Sequence, residues 1–417
     1  MSARNAFLLL LMLIVIFVAE GKDDTPQRFL LYDVNPGEGF NLRRDVYLRM
    51  AVLVSHLNAL QPWTLVLPPW SSPYHWRSNH LDQERIPWFK FFDIQSLNKF
   101  VPVLELHDFP NKNKHWKIDE VIILQHFDFQ ENSLWEEKLE YVECNESEIY
   151  YWKEQDNKWR GRFWNYANIS ASSVRCMALQ GLATTLIPFL IEQKAKAIML
   201  DRAEVALHHA FGDVEYWAAR RSMRFARNLV EAAHLFRKSH LNSSNESDNT
   251  VRPNDWKSEE QQVDLSLNRG GPYIGVHLRR KDFVTGRAKD VPSINSAAKQ
   301  IEKLAKKFDV GKVFVASDGT DKELIELRKA LSHLMVHQFQ PTKEEVELYL
   351  DGGVAIIEQI ICSHARAFIG TYESTFSFRI QEEREIMGFH PDTTFQRLCG
   401  DDDVACEQPS RWRIQFD

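Results

Sequence analysis

The pattern that most limits what this chain can become is a series of short apolar runs: RFLLYD, TLVLP, VIILQ, KAIMLD, YIGVHL, KVFVAS and RAFIGT. Each is apolar on successive positions instead of alternating. A strand of that kind must be covered on both faces, as in a parallel sheet enclosed by helices. Between runs, LRRDVYLRMAVLVSHLNAL and YWAARRSMRFARNLVEAAHLF carry apolar residues at helical spacing. Strands alternating with helices predict α/β layers with mainly parallel sheets.

At 417 residues the chain is long enough for two or three domains at roughly 150 residues each. The stretch SHLNSSNESDNTVRPNDWKSEEQQ, from Ser239 to Gln262, is polar and has little to bury. It reads as an exposed connection between two α/β domains, residues 22–250 and 251–417. A long loop inside one domain is the alternative. A formal charge of -7 argues against a dominant nucleic-acid surface and leaves room for a local basic pocket.

The first residues follow the plan of a secretory signal peptide. Arg4 precedes the apolar AFLLLLMLIVIFVA, and small residues follow at Ala19 and Gly21, so residues 1–21 are read as a cleaved segment. An uncleaved anchor is the alternative. No later apolar run approaches spanning length, which predicts a soluble lumenal protein with no stable membrane span. That compartment lets cysteines pair. Cys399 and Cys406 flank the polar GDDDVA and suit a local bridge; Cys144 with Cys176 is then the natural second pair. Cys362 lies in the apolar AIIEQIICSHA and reads as a buried free thiol. Asn145, Asn168, Asn242 and Asn245 each begin an Asn-x-Ser sequon.

Three stretches could carry chemistry. In LLYDVNPGEGFNLRRD a carboxylate, Glu38, stands between Gly37 and Gly39 where a strand turns into a helix. Glycine there permits positive φ or close approach of a ligand; a solvated surface acid is the bland reading. In GGPYIGVHLRRKDF a strand delivers His277 and Arg279 at its carboxyl end, with Leu278 and Arg280 on the opposite face. Arg279 suits a diphosphate, and an ion pair with Asp282 is the alternative. In RAFIGTYESTFSFRIQEE a strand, a turn and a helix follow one another, with Ser374 or Thr375 placed to cap the helix and its free amides placed to bind phosphate. Glu358, on the preceding helix, could meet a base or ribose or simply face solvent. The aromatic cluster Trp63, Trp70, Tyr74, Trp76, Trp88, Phe89, Phe91 and Phe92 reads as core and loop packing. His208 and His209 are consecutive and point apart, and no metal-ligand set is evident.

YDVNPGEGFNLRRDVYLRMA, LPPW, YHW, RIPW, MLDRAE, YWAARRSMRFAR, GVHLRRKDF, DGGVAIIEQ, STFSFRIQEEREIMG and ACEQP together resemble the type-two GDP-fucose protein O-fucosyltransferases, over nearly the whole chain after residue 21. The resemblance implies a GT-B arrangement, two Rossmann-like domains facing across a cleft. It implies inverting transfer of fucose from GDP-fucose to Ser or Thr of folded thrombospondin type-one repeats, in the lumen of the endoplasmic reticulum; a monomer is expected, and the lack of an Asp-x-Asp motif after a strand predicts chemistry that needs no metal. Glu38 matches the catalytic base. Gly37, Glu38, Gly39, Phe40 and Asn41 match the loop facing fucose and nucleotide. His277, Leu278 and Arg279 match the diphosphate side, Thr375 and Phe376 the helix-start contacts, and Glu358 a nucleotide contact. The pairs Cys144–Cys176 and Cys399–Cys406 match the family's bridges. Two positions depart from it: Gly37 stands where relatives can carry Pro, and Glu358 where they can carry Asp. The rival readings are another lumenal GT-B glycosyltransferase, or a non-catalytic binder that assists quality control of such repeats.

Overall fold

The computed structural model describes residues 26–71, 73–76, 78, 80–113, 116–127, 135–145, 150–259 and 269–416. The proposed signal segment lies outside them. The first sheet contains β1 (Arg28–Tyr32), β2 (Trp63–Leu67), β3 (Val103–Glu105), β4 (Lys117–Gln125), β5 (Lys138–Val142), β6 (Tyr151–Lys153), β7 (Trp159–Gly161), β8 (Ser170–Gln180) and β9 (Ala197–Asp201). Its order is β3-β2-β1-β9-β4-β8-β7-β6, with β5 also on β8. The neighbours from β3 to β8 run parallel, and β5, β6 and β7 add antiparallel pairs at one side. The second sheet is parallel throughout, in the order β12-β11-β10-β13-β14: β10 is Gly271–Leu278, β11 Lys312–Ser317, β12 Met335–His337, β13 Ala365–Gly370 and β14 Gln396–Arg397.

Every apolar run named above is a strand, and the reason is burial. All five residues of β1 are buried, as are Tyr273–Leu278 of β10. Helices cover the sheets: α1 (Phe40–Asn58), α2 (Val214–Ser222), α3 (Arg227–His240), α4 (Ile294–Lys307), α5 (Asp321–Ala330), α6 (Lys343–Ser363) and α7 (Thr375–Ile386). One buried apolar cluster runs from Leu30 and Val46 on the first sheet's side to Ile356 and Ile360 on the second's.

Buried polar bonds join the two halves. Arg220 of α2 pairs with Glu382 at 2.5 Å and Glu383 at 2.7 Å on α7, all three nearly inaccessible. The Tyr216 hydroxyl donates to Glu382 at 2.7 Å. Asp351 of α6 accepts from Ser78 Oγ at 2.6 Å and Gln83 Nε2 at 2.9 Å.

The polar stretch from Ser239 is largely at the surface, as read, but it is pinned to the protein by several buried residues. Ser243, Asp248, Thr250, Trp256 and Glu259 are buried. Arg237 of α3 pairs with Asp248 at 3.0 Å, and Arg252 bridges Glu259 and Glu383. Polar composition here reflects solvation of the exposed positions together with internal hydrogen bonding at the buried ones. Residues 260–268 lie outside the described part.

Both bridges, Cys144–Cys176 and Cys399–Cys406, are formed, and Cys362 is free and buried. Burial pushes the Cys362 thiol well above its ordinary value, so it is an inert core group. The sequon residues Asn145, Asn168 and Asn242 are exposed. Asn245 is half-buried, and its Oδ1 accepts from Arg237 at 2.7 Å. Among the described residues, no helix is long and apolar enough to cross a membrane.

Candidate active site

The loops at the carboxyl ends of β1, β10 and β13 meet in one cleft of about 730 Å³, walled by both halves. Ligands bind at such strand ends because the following helices begin there with free amides.

After β1 the chain makes a turn in which the Glu38 amide donates to the Asn35 carbonyl at 2.9 Å. Arg43 holds the turn from behind, its Nε donating to the Glu38 carbonyl at 3.0 Å. Helix α1 then begins with Gly39 as N-cap, at φ -76° and ψ 162°. Neither Gly37 nor Gly39 uses positive φ, contrary to one of the two reasons for expecting glycine there. A Cβ at Gly39 would meet the His75 ring at 3.4 Å, an ordinary van der Waals contact, so the protein's own packing does not demand glycine there. Gly37 faces open space. Gly37, Glu38, Gly39, Phe40 and Asn41 all line the cleft.

From β10, His277 and Arg279 reach the cleft and Leu278 does not. The Leu278 side chain is buried in the second sheet's own apolar cluster, so only its backbone could approach a ligand. Strand alternation had already put its side chain on the opposite face. His277 stacks on Phe376 at 4.3 Å between centroids, with its Nδ1 2.9 Å from Ser377 Oγ. Burial, reinforced by nearby Arg279, lowers its pKa to about 3. The ring is therefore a neutral hydrogen-bonding group and no counter-charge for a diphosphate. Arg279 is the cation: Nη2 lies 2.5 Å from Asp282 and 3.2 Å from His75 Nδ1, and Nη1 lies 2.7 Å from Asp318. The expected Asp282 pair thus exists, but within the cleft.

After β13, Ser374 is the N-cap of α7, yet its side chain makes no cap bond. Thr375 and Phe376 border the cleft. Gly370 lets this helix start close to the sheet: a Cβ there would meet Ser377 Oγ at 2.6 Å. Glu358 of α6 is not solvent-facing. It lines the cleft, and burial, then repulsion from Asp318, raises its pKa to about 8.

The acids of the cleft differ sharply in state. Asp282 and Asp318 are paired with Arg279, Asp351 accepts from Ser78 and Gln83, and Glu373 is paired with Arg287. Glu358 holds its proton at neutral pH. Among the described residues lining the cleft, the side chains of Glu38 and Glu358 have no hydrogen bond or ion pair, and of these two Glu358 is the one whose surroundings favour the protonated acid.

Several lining residues were not anticipated as site residues: Tyr74, His75, Trp76, Asp282, Phe283 and Asp318. Tyr74 and Trp76 correct the reading of the aromatic cluster as packing alone, whereas Trp63, Trp70, Trp88, Phe91 and Phe92 are core. Strand periodicity says nothing about which loop crosses to the other half, so the YHW signal could be read only through resemblance. The trio His56, His209 and Glu215, with ligand atoms within 4.8 Å of one another, lies outside the cleft lining.

Two parallel-sheet halves with strand ends converging on one cleft define a GT-B-type glycosyltransferase fold. Crystal structures of POFUT1 in complex with GDP (TM-score 0.55, 16% identity, 90% of this chain and 99% of that one) and with GDP-fucose (0.56, 15%, 89% and 98%) share it. The chain belongs to the GDP-fucose protein O-fucosyltransferase family, whose model matches residues 29–387, and it is a fucosyltransferase. It is 49% identical over 392 residues to GDP-fucose protein O-fucosyltransferase 2 of Homo sapiens, covering 94% of this chain and 90% of the relative. The proteins of the same name from Caenorhabditis elegans (43% identical, 94% and 91% covered) and Drosophila melanogaster (36%, 93% and 82%) are further relatives.

Proposed function

We propose that this enzyme transfers fucose from GDP-fucose, with inversion, to a Ser or Thr hydroxyl of a folded, disulfide-bonded thrombospondin type-one repeat. Glu38 acts as general base. The observation that carries this reading is the free state of Glu38 in a cleft whose other acids are paired or protonated. An unpartnered carboxylate can accept the hydroxyl proton as that oxygen attacks C1 of fucose, help worth about 10²–10⁴ in rate. The C1–O bond to the β-phosphate breaks as the new bond forms from the opposite face, turning the β-linkage into an α-linkage and releasing GDP.

Charge building on the diphosphate is met by Arg279 and by the amides at the start of α7. No metal enters the proposed chemistry, because the nearest carboxylates that could hold one, Asp282 and Asp318, already pair with Arg279. Glu358 contacts the nucleotide. The cleft volume of about 730 Å³ suits a nucleotide sugar. The apolar leader and the two bridges support an address in the oxidising secretory lumen, and the family resemblance supports the endoplasmic reticulum within it.

Glu38→Gln keeps the shape and removes the base. It should cost about 10²–10⁴ in fucose transfer while GDP affinity stays that of the wild type. Near-normal transfer would sink the assignment. The acceptor claim is checked with one repeat offered oxidised and, separately, reduced and alkylated. Equal transfer to both would replace shape recognition by sequence recognition.

A further inference from the structure

Asn41, at the start of α1, is tied to two residues that do not line the cleft. Its Oδ1 lies 3.2 Å from Arg44 Nη1 and 3.0 Å from Gln359 Nε2, and Gln359 Oε1 lies 2.7 Å from the same Arg44 Nη1. Arg44 and Gln359 are fully buried. Arg44 comes from the first half of the molecule and Gln359, on α6, from the second.

The orientation of this triangle follows from one chemical fact. A guanidinium only donates. The Gln359 atom facing Arg44 must therefore be the oxygen, so its nitrogen faces Asn41. The Asn41 atom facing both donors must then be its oxygen. This leaves the Asn41 NH₂ group on the cleft side, where Asn41 is part of the lining.

We infer that Arg44 and Gln359 are positioning residues that hold the Asn41 amide with its NH₂ toward the donor sugar nucleotide. The group it meets is a hydrogen-bond acceptor, a phosphate or sugar oxygen. Because the clamp takes one residue from each half, the site presents this donor only when the two halves are docked. A buried arginine with no carboxylate against it is costly. Arg44 Nε and Nη2 have no hydrogen-bond partner, and the rings of Phe92 and Phe225 each lie 5.4 Å from its guanidinium carbon. An apolar residue would fill such a site at less cost but would offer no donor, whereas Arg44 Nη1 carries two N–H groups, one for each amide oxygen.

This inference rests on the donor-site reading, and the test separates the two. GDP binding is measured by calorimetry on the full protein, with thermal unfolding measured alongside. Gln359→Glu offers Arg44 a carboxylate and offers Asn41 only acceptors, so the Asn41 amide turns over and points its oxygen into the cleft. GDP affinity should fall about tenfold or more with thermal stability at or above wild type. Asn41→Asp keeps an oxygen toward Arg44 and Gln359 and puts an acceptor in the cleft. It should weaken GDP similarly, and it stands in if the first variant does not fold. Arg44→Lys keeps a pure donor and should retain more GDP affinity than Gln359→Glu. Wild-type affinity in Gln359→Glu, or in Asn41→Asp where only that variant folds, would overturn the clamp while leaving the donor site intact. Failure of the wild type to bind GDP would overturn the donor site itself.

Discussion

Glu358 departs far from the ordinary behaviour of a glutamate. Its pKa rises from 4.5 to about 8, through burial first and Asp318 second. Between those values the folded protein holds a proton that the unfolded chain has released. Stability from this group is thus present below pH 4.5 and lost as pH rises toward 8. Replacing it by Gln should remove that slope, so the melting temperature of Glu358→Gln relative to wild type should climb across this window. The same proton reports on function. Ribose hydroxyls and base N–H groups favour the ionised carboxylate, so GDP binding near pH 7 should release a proton from the wild type and none from this variant. Calorimetry in two buffers of different ionisation heat measures it; equal release from both proteins would remove Glu358 from the nucleotide contact. Residues at strand ends were legible in the sequence, since a carboxyl-terminal strand end is where an α/β sheet binds ligands. His277, Arg279, Glu38, Thr375 and Phe376 were found that way and through the family resemblance, and all border the cleft. What could not be read was their charge state. That depends on neighbours far away in sequence, as with Asp318 beside both Arg279 and Glu358.

Helix α7 shows how one element serves two purposes. Its first turn borders the cleft, and its buried middle anchors the halves through Glu382, which receives Arg220, Arg379 at 2.6 Å and Tyr216. Removing one member of such a buried network leaves uncompensated charge, so Glu382→Ala should cost about 3–5 kcal/mol. The shift in the urea midpoint at constant slope is the readout. A loss no larger than that of a surface substitution would mean the arginines find other partners. The apolar strands were legible because burial on both faces writes itself as an unbroken run. β5, β6 and β7 were not, because they pair antiparallel at the sheet's edge and expose much of their surface, as in the KLEYV of β5. β12 and β14 are too short to carry a period. The buried anchors within the polar stretch after Ser239 were missed for a related reason: side chains such as Ser243 and Asp248 bond to each other, and composition cannot distinguish that from bonding to water.

The whole molecule is divided in topology yet joined in its core. Two sheets with no strand pairing between them would ordinarily move against each other, since contacts between domains are usually small and polar. Here a single apolar cluster spans both halves, the ion pairs of Arg220 lie within it, and the Asn41–Arg44–Gln359 triangle closes across the same boundary. Neither half can separate without exposing unpaired charge and apolar surface together, which makes their unfolding cooperative. Calorimetry should therefore show one transition and not two. The proposed donor site draws Glu38 and Asn41 from one half and Arg279, Glu358 and Thr375 from the other, so GDP should raise that transition as a unit. At a concentration a hundredfold above its dissociation constant the stabilisation is about 2.7 kcal/mol. Two resolved transitions, only the later sequence half responding to GDP, would show that the boundary is a hinge. The buried pairs would then have to be broken and remade in each catalytic cycle.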